Sequence, residues 1–378
     1  MALTKKWKST ERWVIQEEED LFHVLTAVNK NTDRTHYLYF SIESLLTDDF
    51  ANNFQEALGN NRYLKNLRVV GIRDGVTTII IKALKVNSSL KTLDLSHSSI
   101  GIQGALSIAE ALRDYSTLTS LDLSYNDIQK EGGIAIANAL KVRSSLISLN
   151  LDSNFIRKEG AVAMAEALKV NPSLKSLSLA KNFIEDYGGI AITDAITEVL
   201  SRQQPNLSSL EILNLNCNEL TNKTAIAMAR LLNEQSSLTS LSLGSNKVKN
   251  YGTITILEAL RENSILTSLN LDGNYIGNEG ARTIANVLRV NSTLKRLNLR
   301  NTGIGSEGVI AIAESFRFNF TLSDIFVDKD FLRCFNQLDV FCFDSCLRLK
   351  NVLEILVGED AAHILSVLFK MKIPVLRI

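Results

Sequence analysis

Residues 146–173 read LISLNLDSNFIRKEGAVAMAEALKVNPS, and this 28-residue unit recurs along most of the chain. Its eight copies open at Leu90, Leu118, Leu146, Leu174, Leu210, Leu238, Leu266 and Leu294, and Leu322 opens a broken ninth. The step between openings is constant except from Leu174 to Leu210, where it is longer. A fixed period of this length predicts a solenoid, in which each unit buries its apolar face only against its neighbours. Such stacks offer broad continuous surfaces, which points to protein recognition instead of chemistry.

Within the unit, L-x-x-L-x-L alternates leucine with polar residues, so pairs such as Leu93 and Leu95 or Leu149 and Leu151 face one side of a short strand. The residues between them, Asp94, Asp122, Asn150, Ser178, Asn214, Ser242, Asn270 and Asn298, face out and would line the concave side. Three residues after the strand stands an asparagine column, Asn126, Asn154, Asn182, Asn218, Asn246 and Asn274, replaced at its ends by Ser98 and Thr302. An inward-turned carboxamide can both donate to and accept from the backbone of a turn, so the column is expected to be structural. A glycine (Gly104, Gly132, Gly160, Gly188, Gly252, Gly280 or Gly308) is then expected to precede a helix. That helix buries positions such as Ala161, Met164, Ala165 and Leu168. An N-S-S-L turn, as at Asn87 to Leu90, returns the chain to the next strand.

This combination resembles the ribonuclease-inhibitor class of leucine-rich repeats, over about residues 64 to 322. The class includes ribonuclease inhibitors, the Ran GTPase-activating protein, the sensing ends of NOD-like receptors, and repeat proteins of protists and of intracellular bacteria such as Legionella. The resemblance implies an α/β fold: a right-handed leucine-rich-repeat solenoid or horseshoe, with parallel strands on the concave face and helices on the convex face. It says little about task, because members share architecture and differ in partner.

The ends depart from the pattern. Residues 1–63 read as an N-terminal cap with a degenerate repeat: an apolar set (Leu21, Phe22, Leu25, Val28), then HYLYF and the helix-like TDDFANNFQEALGNNRYL. Residues 64–327 hold the repeats, beginning with a slightly shortened unit from Leu64 to Ser89. Residues 328–378 are apolar and read as a helical C-terminal cap, with a docking module as the competing reading. The insertion at 197–209 is expected to lengthen its helix by about two turns.

Composition narrows the function. With 41 basic and 41 acidic residues the formal net charge is zero, which argues against a dedicated nucleic-acid binder. The N-terminus lacks the apolar core of a secretory signal, and no apolar run reaches the roughly 18 residues that span a membrane. The cysteines, Cys217, Cys334, Cys342 and Cys346, form no disulfide framework and fit a reducing cytoplasm. They also lack the paired spacing of a zinc site and read as packed thiols, so no metal or cofactor is expected. No G-x-x-x-x-G-K-[ST] occurs, and Asp94, Ser96 and His97 are a commonplace trio on a polar sheet. The chain therefore reads as no enzyme. Ribonuclease inhibitors are cysteine-rich and acidic, and the Ran activator carries a long acidic tail; this chain has neither feature.

The expected partner is another protein, bound by a monomer through the concave face and loop rim. Aromatic and arginine anchors concentrate binding energy, so the candidates begin with Tyr125, Phe155, Phe183 and Tyr275 at the rim. Phe155 and Phe183 occupy equivalent places in adjacent repeats, where either a contact strip or packing between turns accounts for them. Asp94, Asp122 and Asp152 mark an acidic first half, against Lys295, Arg296 and Arg300 at the far end, a polarity that would orient a partner. The setting that the resemblance implies is a bacterial effector in a host cytosol, masking a host protein or another effector. The alternative is a regulator of a small GTPase or a ubiquitin-pathway adaptor. A cysteine-based ubiquitin ligase domain needs more chain than the segment that follows Val327.

Overall fold

A computed structural model describes residues 37–41, 48–72, 74–114, 117–142, 145–171, 173–202, 210–234 and 236–328. The capping helix expected around Leu21 to Val28, the C-terminal cap beyond Asp328 with its three cysteines, and the end of the insertion at 203–209 lie outside the described residues. The chain divides into two compact units, Met1–Asn218 and Glu219–Ile378.

In the first unit strand and helix alternate: β1 (Tyr37–Ser41), α1 (Asp48–Asn60), β2 (Asn66–Val70), α2 (Asp74–Leu84), β3 (Thr92–Asp94), α3 (Gly101–Asp114), β4 (Ser120–Asp122), α4 (Gln129–Val142), β5 (Ser148–Asn150), α5 (Arg157–Leu168), β6 (Ser176–Ser178), α6 (Glu185–Ser201) and β7 (Ile212–Asn214). Each strand pairs in parallel with the next, and the register sets Leu67, Leu93, Leu121, Leu149, Leu177 and Leu213 in one line. These leucines are buried, while the residues on either side are turned toward solvent. The second unit continues the alternation with α7 (Asn222–Asn233), β8 (Ser240–Ser242), α8 (Asn250–Ala259), β9 (Ser268–Asn270), α9 (Gly277–Leu288), β10 (Arg296–Asn298), α10 (Ser306–Ser315) and β11 (Asp324–Phe326). Its strands align Leu241, Leu269, Leu297 and Ile325. The architecture is an α/β solenoid of parallel strands alternating with helices. The core is made where the strand leucines meet the alanine-rich inner faces of the helices, for example Gly160, Ala161, Met164, Ala165 and Leu168 of α5.

The column glycines correct one expectation. They lie inside the first turn of the helix, not before it, because the helix begins two or three positions ahead of them. At Gly132 an added Cβ would come within 2.4 Å of Ile128 Cγ2 and 2.7 Å of the Ala105 Cβ on α3. The position is therefore closed to side chains by its neighbouring helix as well as by its own turn. The insertion lengthens α6 less than expected: 17 residues against 12 in α5 is about one and a half turns.

Two asparagine columns hold the turns. In the first, Asn154 Nδ2 donates to Leu123 O (2.8 Å) and Leu151 O (3.0 Å), and its Oδ1 accepts from Asn126 N (3.0 Å). Asn126, Asn182 and Asn218 in the same unit likewise donate to a leucine carbonyl of the preceding repeat and accept from the amide of the preceding column residue. In the second unit Asn274 donates to Leu243 O and Leu271 O and accepts from Val248 N. At the ends Ser98 Oγ accepts from Ile72 N, and Thr302 Oγ1 donates to Leu299 O.

The second column stands at the opposite end of the helices, and only the turn around it is legible in sequence. Asn87, Asn171, Asn263, Asn291 and Asn319 each donate to a carbonyl in or next to the last turn of the preceding repeat's helix: Leu58, Leu140, Leu232, Leu260 and Leu288. Their Oδ1 atoms accept from the amide that opens the next L-x-x-L, as Asn291 does from Leu294 N (2.8 Å). The carbonyls that a helix leaves unpaired at its C-terminus are thus partly satisfied by the following repeat.

Candidate protein-binding surface

The turns that follow the strands are built from left-handed backbone. The residue before each column asparagine has φ between +52° and +60°: Tyr125, Ser153, Lys181, Cys217, Ser245 and Gly273, with His97 and Asn301 at the equivalent places before Ser98 and Thr302. The residue after it is also left-handed at Asp127, Phe155, Phe183, Glu219 and Gly303. Each non-glycine residue there costs about 1 kcal/mol relative to glycine. The alternation throws side chains on either side of the asparagine outward while the asparagine itself stays buried.

Two aromatic stacks result in the first unit. The imidazole of His97 lies on the Tyr125 ring, centroids 4.3 Å apart and planes 13° from parallel. Lys181 reaches over the same tyrosine, with Nζ 6.0 Å from its centroid. One column over, Phe155 and Phe183 stack at 5.9 Å and 7°. These rings remain 47 % and 46 % exposed, and Tyr125 45 %, so stacking has not removed them from solvent. The structure thus brings Phe155 and Phe183 together and gives Tyr125 a different companion, His97. Tyr275 lies in the second unit, 64 % exposed, with its ring beside Gly303.

Beside the turns, the open face of the sheet in the first unit carries the three aspartates. Asp94 Oδ2 lies 3.0 Å from Arg68 Nε, and Oδ1 accepts from Ser96 N. The Asp94, Ser96 and His97 trio is therefore engaged in a salt bridge and a ring stack. Asp122 accepts from Ser124 N and Oγ (2.8 and 2.7 Å) and from Asn150 Nδ2 (2.9 Å). Asp152 accepts from Ser178 Oγ (2.5 Å) and Ala180 N (2.7 Å). Burial pushes its carboxyl above the ordinary range, against those two bonds and helped by the nearby Asp122 charge. In the second unit Arg296 and Arg300 are exposed, and the Arg300 guanidinium lies 5.6 Å from the Phe326 centroid.

The sequence reading missed His97 and Lys181 as members of the aromatic surface, along with the exposed Tyr187 and Tyr251 at the starts of α6 and α8. The signal was present: His97, Tyr125, Ser153 and Lys181 recur once per repeat, one place before the asparagine column. Among the described residues no group of three or more His, Cys, Asp or Glu is arranged to hold a metal ion. No described helix is long and apolar enough to cross a membrane.

The leucine-rich-repeat family profile matches residues 86–109, 116–137, 170–192, 206–229, 262–285 and 290–313. No curated protein matches the chain by sequence. Among solved structures, a chain of the Rad7 and Elc1 complex of yeast is similar at 16 % identity and a TM-score of 0.55, covering 83 % of this chain and 85 % of that one. The leucine-rich repeat-containing protein LegL7 of Legionella pneumophila is 18 % identical with a TM-score of 0.47, covering 83 % and 97 %. At 16 % identity the likeness to the yeast chain shows the fold alone. The repeat matches, the aligned leucines and the asparagine columns agree with one another: the chain is a leucine-rich-repeat protein.

Proposed function

We propose that the chain is a non-enzymatic protein-binding scaffold, working through the open face of its sheet and the left-handed turns beside it. One observation carries this reading: Tyr125, Phe155 and Phe183 stay about half exposed at turns whose folding is done by other residues. Large rings left in solvent on a rigid support are the side chains from which protein interfaces draw most of their energy. Asp94, Asp122 and Asp152 supply polarity in the first unit; in the second unit, taken by itself, Tyr275, Arg296 and Arg300 are the candidate contacts. The segments 1–63 and 328–378 serve as caps in this reading, because a finite stack must cover its last apolar layers.

The setting we infer is that of a bacterial effector acting in a host cytosol, where the scaffold masks a host protein or another effector; its support is the family resemblance. A pull-down with the full chain from host-cell lysate, followed by titration of each captured protein in purified form, tests the reading. A stoichiometric complex is expected. Failure of every purified candidate to bind, or turnover of a substrate by the chain alone, would overturn it. A GTPase assay across a panel of small GTPases separates masking from GTPase regulation.

A further inference from the structure

The repeats act as an internal comparison, because the position after the column residue is filled in eight repeats by seven kinds of residue. At the left-handed place after the asparagine, Asp127, Glu219 and Gly303 serve where Phe155 and Phe183 stand, with the same sign of φ. The turn therefore does not require an aromatic ring, and positive φ is disfavoured for a bulky side chain. At the place of Asp152 the other repeats carry Ser96, Ser124, Ala180, Asn216, Gly244, Asp272 and Arg300. Most of them manage without a carboxylate, and this one is held part-buried. Two departures from what the fold prefers thus lie three residues apart in one repeat, and Phe183 enlarges the patch from the next. Off-optimum residues on a rigid frame are where function is bought with stability.

The chemistry of the patch indicates its occupant. The two phenyl planes stand nearly parallel with centroids 5.9 Å apart, and each ring keeps about half of its surface free for apolar contact. In the strand ends, turns and helix starts at 122–129, 150–157 and 178–185, which carry the rings, Asp122, Asp127, Asp152 and Glu185 stand against the cations Arg157 and Lys181, and Lys181 is directed at Tyr125. The surroundings of the apolar seat are therefore acidic. We propose that the first unit recognises a polypeptide segment presenting a large apolar side chain next to a lysine or arginine, with Phe155 and Phe183 seating the first and Asp122 and Asp152 holding the second. This rests on the protein-binding reading above and adds the chemistry of the partner.

A random peptide library displayed on phage, selected on the immobilised full chain, tests the proposal. Enriched peptides are expected to share a Leu, Phe, Tyr or Trp beside a Lys or Arg. A synthetic copy should lose affinity by about tenfold or more on Phe155→Gly/Phe183→Gly, and again on Asp122→Asn/Asp152→Asn. The melting midpoint of each variant should stay within about 3 °C of wild type. Glycine already fills this turn at Gly303, so the phenylalanine variant has a native precedent. If the glycine pair melts more than about 8 °C lower, the rings belong to the fold and the proposal fails. Enriched peptides without basic residues, or peptides bound equally by wild type and variants, also overturn it while leaving the protein-binding reading intact. A library that yields no binder contradicts the patch; the wider reading then stands or falls on the pull-down.

Discussion

The buried asparagine column and the residues on either side of it are one position apart in sequence and do opposite jobs. Asn126, Asn154, Asn182 and Asn218 are nearly invariant along the first unit, are buried, and use their side chains on the backbone of adjacent repeats. The flanking positions change from repeat to repeat: His97, Tyr125, Ser153 and Lys181 before the asparagine, and Asp127, Phe155 and Phe183 after it. Uniformity marks the frame, and variation marks the surface that the frame presents. A repeat protein shows this distinction without any second sequence.

The largest effect is expected inside the frame. Asn154→Ala leaves Leu123 O and Leu151 O without that donor, and Asn126 N and Ile128 N without their acceptor. Unfolding in urea should show a loss of about 3 kcal/mol. A loss as small as that at an exposed residue would erase the distinction between the two positions. Gly132→Val comes next, since its side chain must enter space held by Ile128 and Ala105. A loss of about 2 kcal/mol by the same measurement is the expected result.

On the flanking surface the expected sign reverses. Asp152 has its native carboxyl pKa raised, so its protonated form favours the fold. That stabilisation is complete below the ordinary aspartate range and is lost as pH rises through the raised native value. Asp152→Asn should therefore have a higher urea midpoint than wild type at pH 7, with the gap closing on acidification through the carboxylate range. A lower midpoint at pH 7 would make Asp152 part of the frame. The smallest change is expected at Ser153, whose φ is +57° and whose buried Oγ has no hydrogen-bond partner. Ser153→Gly relieves the backbone and removes the orphaned hydroxyl, for a gain of about 0.5 kcal/mol in thermal unfolding. A clear loss there would mean that the turn depends on the serine.

Much of the frame is legible in the amino-acid sequence. The constant repeat period determines which leucines align, and the polar Asn126 to Asn274 column stood out because it is almost unbroken. The second column did not, because Asn87, Asn171, Asn263, Asn291 and Asn319 are interrupted by other residues and look like ordinary turn polarity. The glycines stand a few positions from where the pattern alone puts them; at Gly132, Gly188, Gly252 and Gly308 an alanine of the preceding helix helps to close the place, which the local pattern does not reveal. The candidate surface is only half readable. Exposed rings could be listed from sequence. The His97 and Tyr125 stack and the left-handed backbone that projects Phe155 and Phe183 depend on contacts between neighbouring repeats and on the sign of φ.

Hydrogen–deuterium exchange of the full chain, alone and saturated with a peptide selected on it, tests the division of labour most directly. Slowed exchange is expected in the strand ends and turns at 122–127, 150–156 and 178–184, with the helices α3 to α6 unchanged. Protection confined to those helices, or falling only in the second unit, would contradict the account.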